Sequence, residues 1–232
     1  MSKKDYYIIE KNRDKIIKGN YTNFLDPSTL NKVKSKLKGY EYNIYYPYKD
    51  SEKVIIYTKE KPKIKLIEII SFDKLTHREI MGSLYNQNID SEFFGDIIIY
   101  NNQYYVLVME SICNLVLDTF NMIGNKHIKI MEVDIIVLES YKKKYEKKEL
   151  IVSSLRIDSV ISKLVGISRD NIKKKFRDNE VFLNYEVCTK MTKNLKVNDI
   201  FSIRKYGKYK FNGVIKTSKK NHYIIECLKY ID

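Results

Sequence analysis

The chain is 232 residues long, 44% of them apolar and 12% aromatic, and its 43 Lys and Arg against 29 Asp and Glu leave a formal charge of +14. That apolar share is ample for packed cores and excludes global disorder, while the length leaves room for one large or two to three small domains. No run of about 18 uncharged apolar residues exists, which excludes a membrane-spanning helix.

Residues 1 to about 46 read as helical. Asp5 can cap a first helix carrying Tyr6, Ile9, Ile16 and Ile17, which Gly19-Asn20 ends. In Phe24-Leu25-Asp26-Pro27, Asp26 is an N-cap and Pro27 the first helical residue, and Leu30, Val33 and Leu37 follow on one face before Gly39. The tyrosines at 40, 42, 45, 46 and 48 are packing residues, with base stacking as the alternative.

Val54 to Tyr57 predicts a strand, and Ile64, Leu66, Ile67, Ile69 and Ile70 predict another. Thr76-His77-Arg78-Glu79 has the spacing of a capping box for a helix reaching about Asn86. Asp96 to Tyr100 and Tyr104 to Met109 form a hairpin across Asn101-Asn102-Gln103. Ile112, Leu115, Val116, Phe120 and Ile123 recur at helical spacing up to Gly124, and His127 to Val133 supplies a last strand. The order βαββαβ is that of a ferredoxin-like sheet, the kind on which RNA-recognition motifs are built. The aromatic signature such motifs use for stacking is absent, and Tyr104-Tyr105 is a faint echo of it, packing being the other reading.

Tyr141 to Glu149 holds five lysines and two glutamates, the composition of a solvated linker, either helical or flexible. Beyond it, Ile157, Val160, Ile161, Leu164 and Val165 mark an amphipathic helix. Ser168 offers an N-cap to a second helix that buries Ile172 and Phe176. Arg169, Lys173 and Arg177 stand four apart on that helix and form a basic stripe, with Lys174 and Lys175 beside it. Val181-Phe182-Leu183-Asn184, a turn, and the strand Ile200 to Ile203 led by Asp199 complete the pattern.

The expected layout is therefore α+β: a helical region at 1–50, a ferredoxin-like domain at 51–140, a linker at 141–150 and a small α+β domain at 151–232. The last of these holds 18 Lys and Arg against 8 Asp and Glu, a net of +10, which leaves +4 for residues 1–150. Such asymmetry points to a polyanion, usually nucleic acid. The abundance of Ile, Lys, Asn and Tyr also fits a genome biased towards those codons. Met1-Ser2-Lys3-Lys4-Asp5 lacks the apolar core of a signal peptide. Cys113, Cys188 and Cys227 are odd in number and far apart, as free thiols in a reducing cytoplasm are. Neither they nor His77, His127 and His222 show metal-ligand spacing. A soluble cytoplasmic monomer without metal or cofactor is expected.

The C-terminal pattern resembles the S-four RNA-binding domain, named after a ribosomal small-subunit protein. That family reads Arg-Leu-Asp on its first helix, Ser-Arg opening the second, a Gly-x-Val-x-Val-Asn-Gly turn and a later Gly-Asp-x-Ile-x-Val strand. The chain matches at Arg156, Asp158, Ser168, Arg169, Val181, Leu183, Asn184, Asp199, Ile200 and Ile203. Where the family has glycine, Asn179, Tyr185 and Asn198 stand. Asn visits left-handed backbone more readily than most residues; Tyr185 is a poorer substitute.

The whole order is similar to that of YlmH-type bacterial proteins. Phe24-Leu25-Asp26-Pro27, Thr76-His77-Arg78-Glu79, Gly82 and Phe94-Gly95-Asp96-Ile97 match that family's segments, whereas its Gly-Gly-Tyr-x-x-Ala-Glu-Arg segment is altered here to Tyr46-Pro47-Tyr48-Lys49-Asp50-Ser51-Glu52-Lys53. The resemblance implies a non-enzymatic RNA-binding protein. Its implied partners are large-subunit ribosomal RNA and tRNA, on ribosomes stalled with peptidyl-tRNA during ribosome-associated quality control; an older family link is to cell division.

On this reading Arg169, Lys173, Lys174 and Arg177 lie along an RNA backbone. Ser168 caps its helix or meets phosphate; Arg156 contacts RNA or pairs with Asp158 or Asp199; Asn184 binds RNA or braces its own turn. Arg204, Lys205, Lys208 and Lys210 extend the basic surface or form a solvated face. His77 and Arg78 suggest acid–base chemistry, but a helix start explains them, and no phosphate loop, nucleophile elbow or convincing carboxylate pair is present. The competing hypotheses are an RNA-modifying enzyme with its site around His77, Arg78 and Asp96, and a cell-division interaction module.

Overall fold

The computed structural model describes residues 3–218 and 222–231, with side chains from Tyr6 onward. The chain divides into two compact units, with the boundary between Lys142 and Lys143.

The first unit begins with α1 (Lys3–Ile17) and α2 (Pro27–Lys36). α1 starts ahead of Asp5, so that residue is not its N-cap; the Asp5 side chain lies outside the described residues. Asp26 caps α2, accepting from the Thr29 backbone N–H at 3.0 Å and the Thr29 hydroxyl at 2.8 Å, with Pro27 in the first turn. β1 (Asn43–Tyr45) pairs antiparallel with β2 (Ile55–Tyr57), so the segment predicted as wholly helical also carries a strand. Ile9, Ile16, Leu25, Val33, Leu37 and Ile56 form the core beneath the two helices.

Next come β3 (Ile64–Ile70), α3 (His77–Asn86), β4 (Phe94–Tyr100), β5 (Gln103–Met109) and α4 (Glu110–Thr119). A small hairpin of β6 (Met122–Ile123) and β7 (Lys126–His127) precedes β8 (Lys129–Val133). The antiparallel sheet runs β4-β5-β3-β8, the strand order of a ferredoxin-like fold. The helix predicted to continue to Ile123 stops at Thr119, because Asn121 to Ile128 turn back on themselves around Gly124 at φ +61. One sheet face, with Ile67, Ile69, Tyr104, Val106 and Val108, packs on Ile80, Leu84, Cys113 and Val116 of α3 and α4. The other face, with Leu66, Ile98, Tyr105 and Leu107, is covered by Phe24, Tyr48, Ile55 and Leu138. The N-terminal segment thus shares a core with the sheet.

The second unit contains β9 (Lys144–Val152), α5 (Ile157–Val165), α6 (Arg169–Arg177), β10 (Val181–Leu183), β11 (Glu186–Val187), β12 (Ile200–Ile203), β13 (Gly207–Thr217) and β14 (Tyr223–Ile231). Its antiparallel sheet runs β11-β10-β12-β13-β14-β9. The predicted linker at 141–150 is corrected here. Residues 144–152 are an edge strand paired with β14 from Tyr223–Val152 to Ile231–Lys144. Leu150 and Val152 reach the core and Ile151 between them is exposed, whereas the earlier positions of the same parity, Lys144, Glu146 and Lys148, are charged, so the composition carried no apolar alternation to mark the strand. Charged outward side chains are a common feature of edge strands. Ile157, Val160 and Ile161 of α5 and Ile172 and Phe176 of α6 pack on Val181, Phe201, Ile203, Phe211 and Cys227.

Candidate nucleic-acid interface

α5 ends in Gly166 at φ +67, a left-handed cap that turns the chain into α6. Ser168 is the N-cap of α6, its hydroxyl accepting from the Asn171 backbone N–H at 3.3 Å. Because Ile172 and Phe176 are buried, the helical period leaves Arg169, Lys173, Lys174 and Arg177 exposed. Lys173 also meets Asp170 at 3.1 Å, an exposed pair of the kind worth little. Lys175 is drawn aside: it pairs with Glu180 and lies 5.7 Å from the Tyr206 ring. Arg204 donates its backbone N–H to the Glu180 carbonyl at 2.9 Å. With Lys205 it lies close enough to help hold the Glu180 carboxyl below its ordinary pKa, the Lys175 hydrogen bond being the larger cause. These two residues therefore adjoin the C-terminal end of the basic helix.

Two other predicted residues are engaged within the unit. Arg156 donates to both carboxylate oxygens of Asp158, at 3.1 and 2.6 Å. Asn184 donates to Asp199 at 2.9 Å and accepts from the Ile200 N–H at 2.9 Å, so both ends of its amide brace the turn. The three positions where the resembled family has glycine are all left-handed: Asn179 at φ +55, Tyr185 at +69 and Asn198 at +72.

Lys208 and Lys210 lie elsewhere. Their strand neighbours Tyr209 and Phe211 are in the core with α5 and α6, so strand alternation turns both lysines to the opposite sheet face. There Lys208 Nζ is 4.7 Å from the Tyr185 ring and 4.6 Å from the Tyr230 ring. The cationic residues expected to form one surface thus divide between the α6 side and the far side of the sheet. Tyr145, Tyr230 and Lys143 join the latter group and escaped sequence reasoning, because no apolar alternation in 144–152 marks that segment as a strand.

In the first unit, Thr76 and Glu79 form the predicted capping box at 3.2 and 2.8 Å, with Lys126 on Glu79 at 2.7 Å. Hydrogen bonds from Lys126 and Thr76 hold the Glu79 carboxyl down at about 2. His77 is half-buried and Arg78 exposed in the first turn of that helix. Asp96 anchors the loop ahead of β2. Its carboxylate accepts from the Tyr48 hydroxyl at 2.6 Å, the Glu52 N–H at 2.7 Å, the Lys53 N–H at 3.1 Å and the Ser51 hydroxyl at 3.4 Å. Lys53 donates to the Ser91 and Phe94 carbonyls at 2.7 and 2.6 Å and lies 4.2 Å from the Phe94 ring. Burial pulls its pKa down to about 8. At Gly95, an added Cβ would stand 2.8 Å from both the Leu107 Cβ and the Phe24 ring. The Phe24-Leu25-Asp26-Pro27 and Gly95-Asp96-Ile97 segments therefore meet at Phe24 and Gly95. The stacking alternative for Tyr104-Tyr105 is corrected: both are buried, Tyr104 accepting from the Leu75 N–H at 3.0 Å and Tyr105 lying under the N-terminal segment.

Among the described residues, no three of His, Cys, Asp and Glu gather as a metal site requires, and no helix is long and apolar enough to cross a membrane.

Residues 58–136, which span the four-stranded sheet and its two helices, match the family model described as "Putative RNA-binding domain in YlmH". Over 150 residues the chain is 23% identical to the ribosome-associated protein quality control protein P2 of Bacillus subtilis (strain 168), an alignment covering 65% of this chain. The chain spans 58% of the length of that relative. Among solved structures, the cell division protein ylmH from Streptococcus pneumoniae matches with a TM-score of 0.46 and 23% identity, covering 60% of this chain and 97% of that one. Over residues 58–136 the chain is therefore similar to the RNA-binding domain of YlmH-type proteins.

Proposed function

We propose that this protein binds RNA on the ribosome, in the cytoplasm, as a factor of ribosome-associated quality control that catalyses no reaction of its own. The observation that carries this reading is the exposed cationic side of α6, Arg169, Lys173, Lys174 and Arg177, continued by Arg204 and Lys205 at its C-terminal end. Each Lys or Arg that neutralises a phosphate releases condensed counterions, and Arg adds planar, bidentate contacts. The name of the Bacillus relative and the description of the matched domain support the same reading.

In finer terms, the second unit is an S-four-type domain, its partners are large-subunit ribosomal RNA and tRNA, and the chain acts as a monomer. Against an RNA-modifying enzyme stands Asp96. A site around His77 and Arg78 would need its carboxylate as acid or base, and four donors already engage it.

The test is sedimentation of the full chain through sucrose gradients at low and high salt, with sequencing of crosslinked RNA. Salt-sensitive co-migration with large subunits, and tRNA among the crosslinks, is expected. A protein left at the top of the gradient and crosslinked to nothing would turn the reading towards the enzyme or the division module. Arg169→Ala with Lys173→Ala should weaken RNA binding by about 1–3 kcal/mol and lower the salt slope; unchanged affinity in the folded double variant would count against this face.

A further inference from the structure

The far face of the six-stranded sheet, opposite α5 and α6, carries Tyr145, Tyr230, Lys208 and Lys210 at one end, with Leu228, Lys147, Glu149 and Glu226 following along β9 and β14. Ser202 pairs with Lys208, Ile200 with Lys210, Lys210 with Leu228 and Tyr230 with Tyr145, and the register places all of these on that face. The rings of Tyr145 and Tyr230 meet edge to face at 5.0 Å. Lys208 bridges Tyr230 and Tyr185, and Lys143 Nζ lies 5.7 Å from the Tyr230 ring. The result is a row of three tyrosines with cations between and beside them, built from β9, β13, β14 and the β10–β11 turn.

Tyr185 supplies an independent observation. It holds φ +69, a conformation costly for a bulky residue and ordinary for glycine. The side chain of Asn184 and the carboxylate of Asp199 brace the backbone of this turn. Backbone strain persists where the surrounding structure holds it, and it clusters at functional sites. Here the strained backbone presents an aromatic ring next to Lys208.

We propose that this sheet face is a second RNA surface, distinct from the α6 side, that takes unpaired nucleotides. Bases stack on Tyr145, Tyr185 and Tyr230 while Lys143, Lys208 and Lys210 neutralise the phosphates between them. Aromatic platforms with interleaved cations suit single strands because a base exposes its π-face only when unpaired from a continuous stack. A duplex offers phosphates to lysines but no base faces to the rings. The inference rests on the reading of the protein as RNA-binding, though not on the α6 surface.

The test uses the full chain, a fluorescent 12-nucleotide oligouridylate and a duplex RNA of equal length, with anisotropy titrations at two salt concentrations. Tyr185→Gly relieves the left-handed strain, so this variant should fold. Combined with Lys208→Gln, it should weaken oligouridylate binding about tenfold or more and leave duplex binding within about twofold. Tyr230→Phe keeps the ring and should bind as the parent does; Tyr230→Leu should not. Arg169→Ala with Lys173→Ala should show the reverse pattern, with the larger loss on the duplex. Unchanged oligouridylate affinity in the folded sheet variants would overturn the proposal. So would equal losses on single strand and duplex, or failure of the parent protein to bind oligouridylate. If the sheet variants lose single-strand binding while the α6 variant loses nothing, this surface stands and the α6 reading falls.

Discussion

Replacing Asp96 by Asn changes one atom at the anchor of the loop ahead of β2. The carboxylate oxygen Oδ2 accepts from the Tyr48 hydroxyl, the Glu52 N–H and the Ser51 hydroxyl, and Oδ1 accepts from the Lys53 N–H. An amide has one accepting end. Its better orientation keeps the oxygen at the Oδ2 position and turns an N–H₂ towards the Lys53 N–H, two donors at the 3.1 Å now spanned by a hydrogen bond. That loses one charge-assisted bond and leaves an N–H unsatisfied, a cost of about 2–4 kcal/mol. The opposite orientation strands the other three donors and costs more. The negative charge that favours protonated Lys53 also disappears, so Lys53 should titrate below about 8. Hydrogen exchange of the full chain in increasing urea isolates this unit: protection at residues 48–56 should fall by the stated amount while residues 181–203 are unaffected. RNA binding at temperatures where the variant is folded should match the parent. Unchanged protection would refute the anchoring role. Lost RNA binding or a lost reaction at unchanged stability would instead assign Asp96 to chemistry.

Three further outcomes follow from the same geometry. Gly95→Ala forces a Cβ against Leu107 and Phe24 and should cost at least about 1–3 kcal/mol in urea unfolding; Phe24→Leu should rescue it only in part, because the Leu107 contact remains, and an unchanged midpoint would contradict the packing. Lys53 has a folded pKa of about 8 against an ordinary 10.5, so between those values the unfolded chain holds more protons and stability rises with pH. The burial cost of its charge is fully present below about pH 8 and fades towards 10.5, so the stability of the parent relative to Lys53→Met should climb across that window; a flat difference would exclude the shift. Burial pushes the Cys227 thiol up to about 12 and raises those of Cys113 and Cys188. Since thiolate is the reactive form, a thiol-specific reagent at pH 8 should label none of them quickly until denaturant is added, and one fast-labelling cysteine would refute their burial.

Local signals were legible where a short stretch of chain satisfies its own backbone. Asp26-Pro27, the Thr76–Glu79 box and the Ser168 cap each close hydrogen bonds within three residues, and each lies where its spacing predicted. The ferredoxin-like strand order followed from a period of two alternating with helical spacing. Long-range covering was not legible. Tyr105 sits on a strand face that the alternation leaves open, and only the return of Phe24 and Tyr48 across that face buries it. The Phe24–Gly95 contact joins residues far apart in sequence, and nothing in either motif alone announces the partner.

The basic surface shows the same division between local and global information. The spacing of Arg169, Lys173 and Arg177 is a property of one helix and could be read as a stripe. Whether Lys208 and Lys210 join it depends on strand parity, which is set by Tyr209 and Phe211 facing the core under α5 and α6. Parity in turn requires knowing that β13 is a strand, a fact that depends on its partner β14, whose other neighbour is the segment that composition marked as a linker. A count of charge treats +10 over residues 151–232 as one quantity. Two sheet faces divide it into a helix side suited to structured phosphates and a tyrosine-bearing side suited to exposed bases, so the two sets of lysines should respond differently to the form of the RNA.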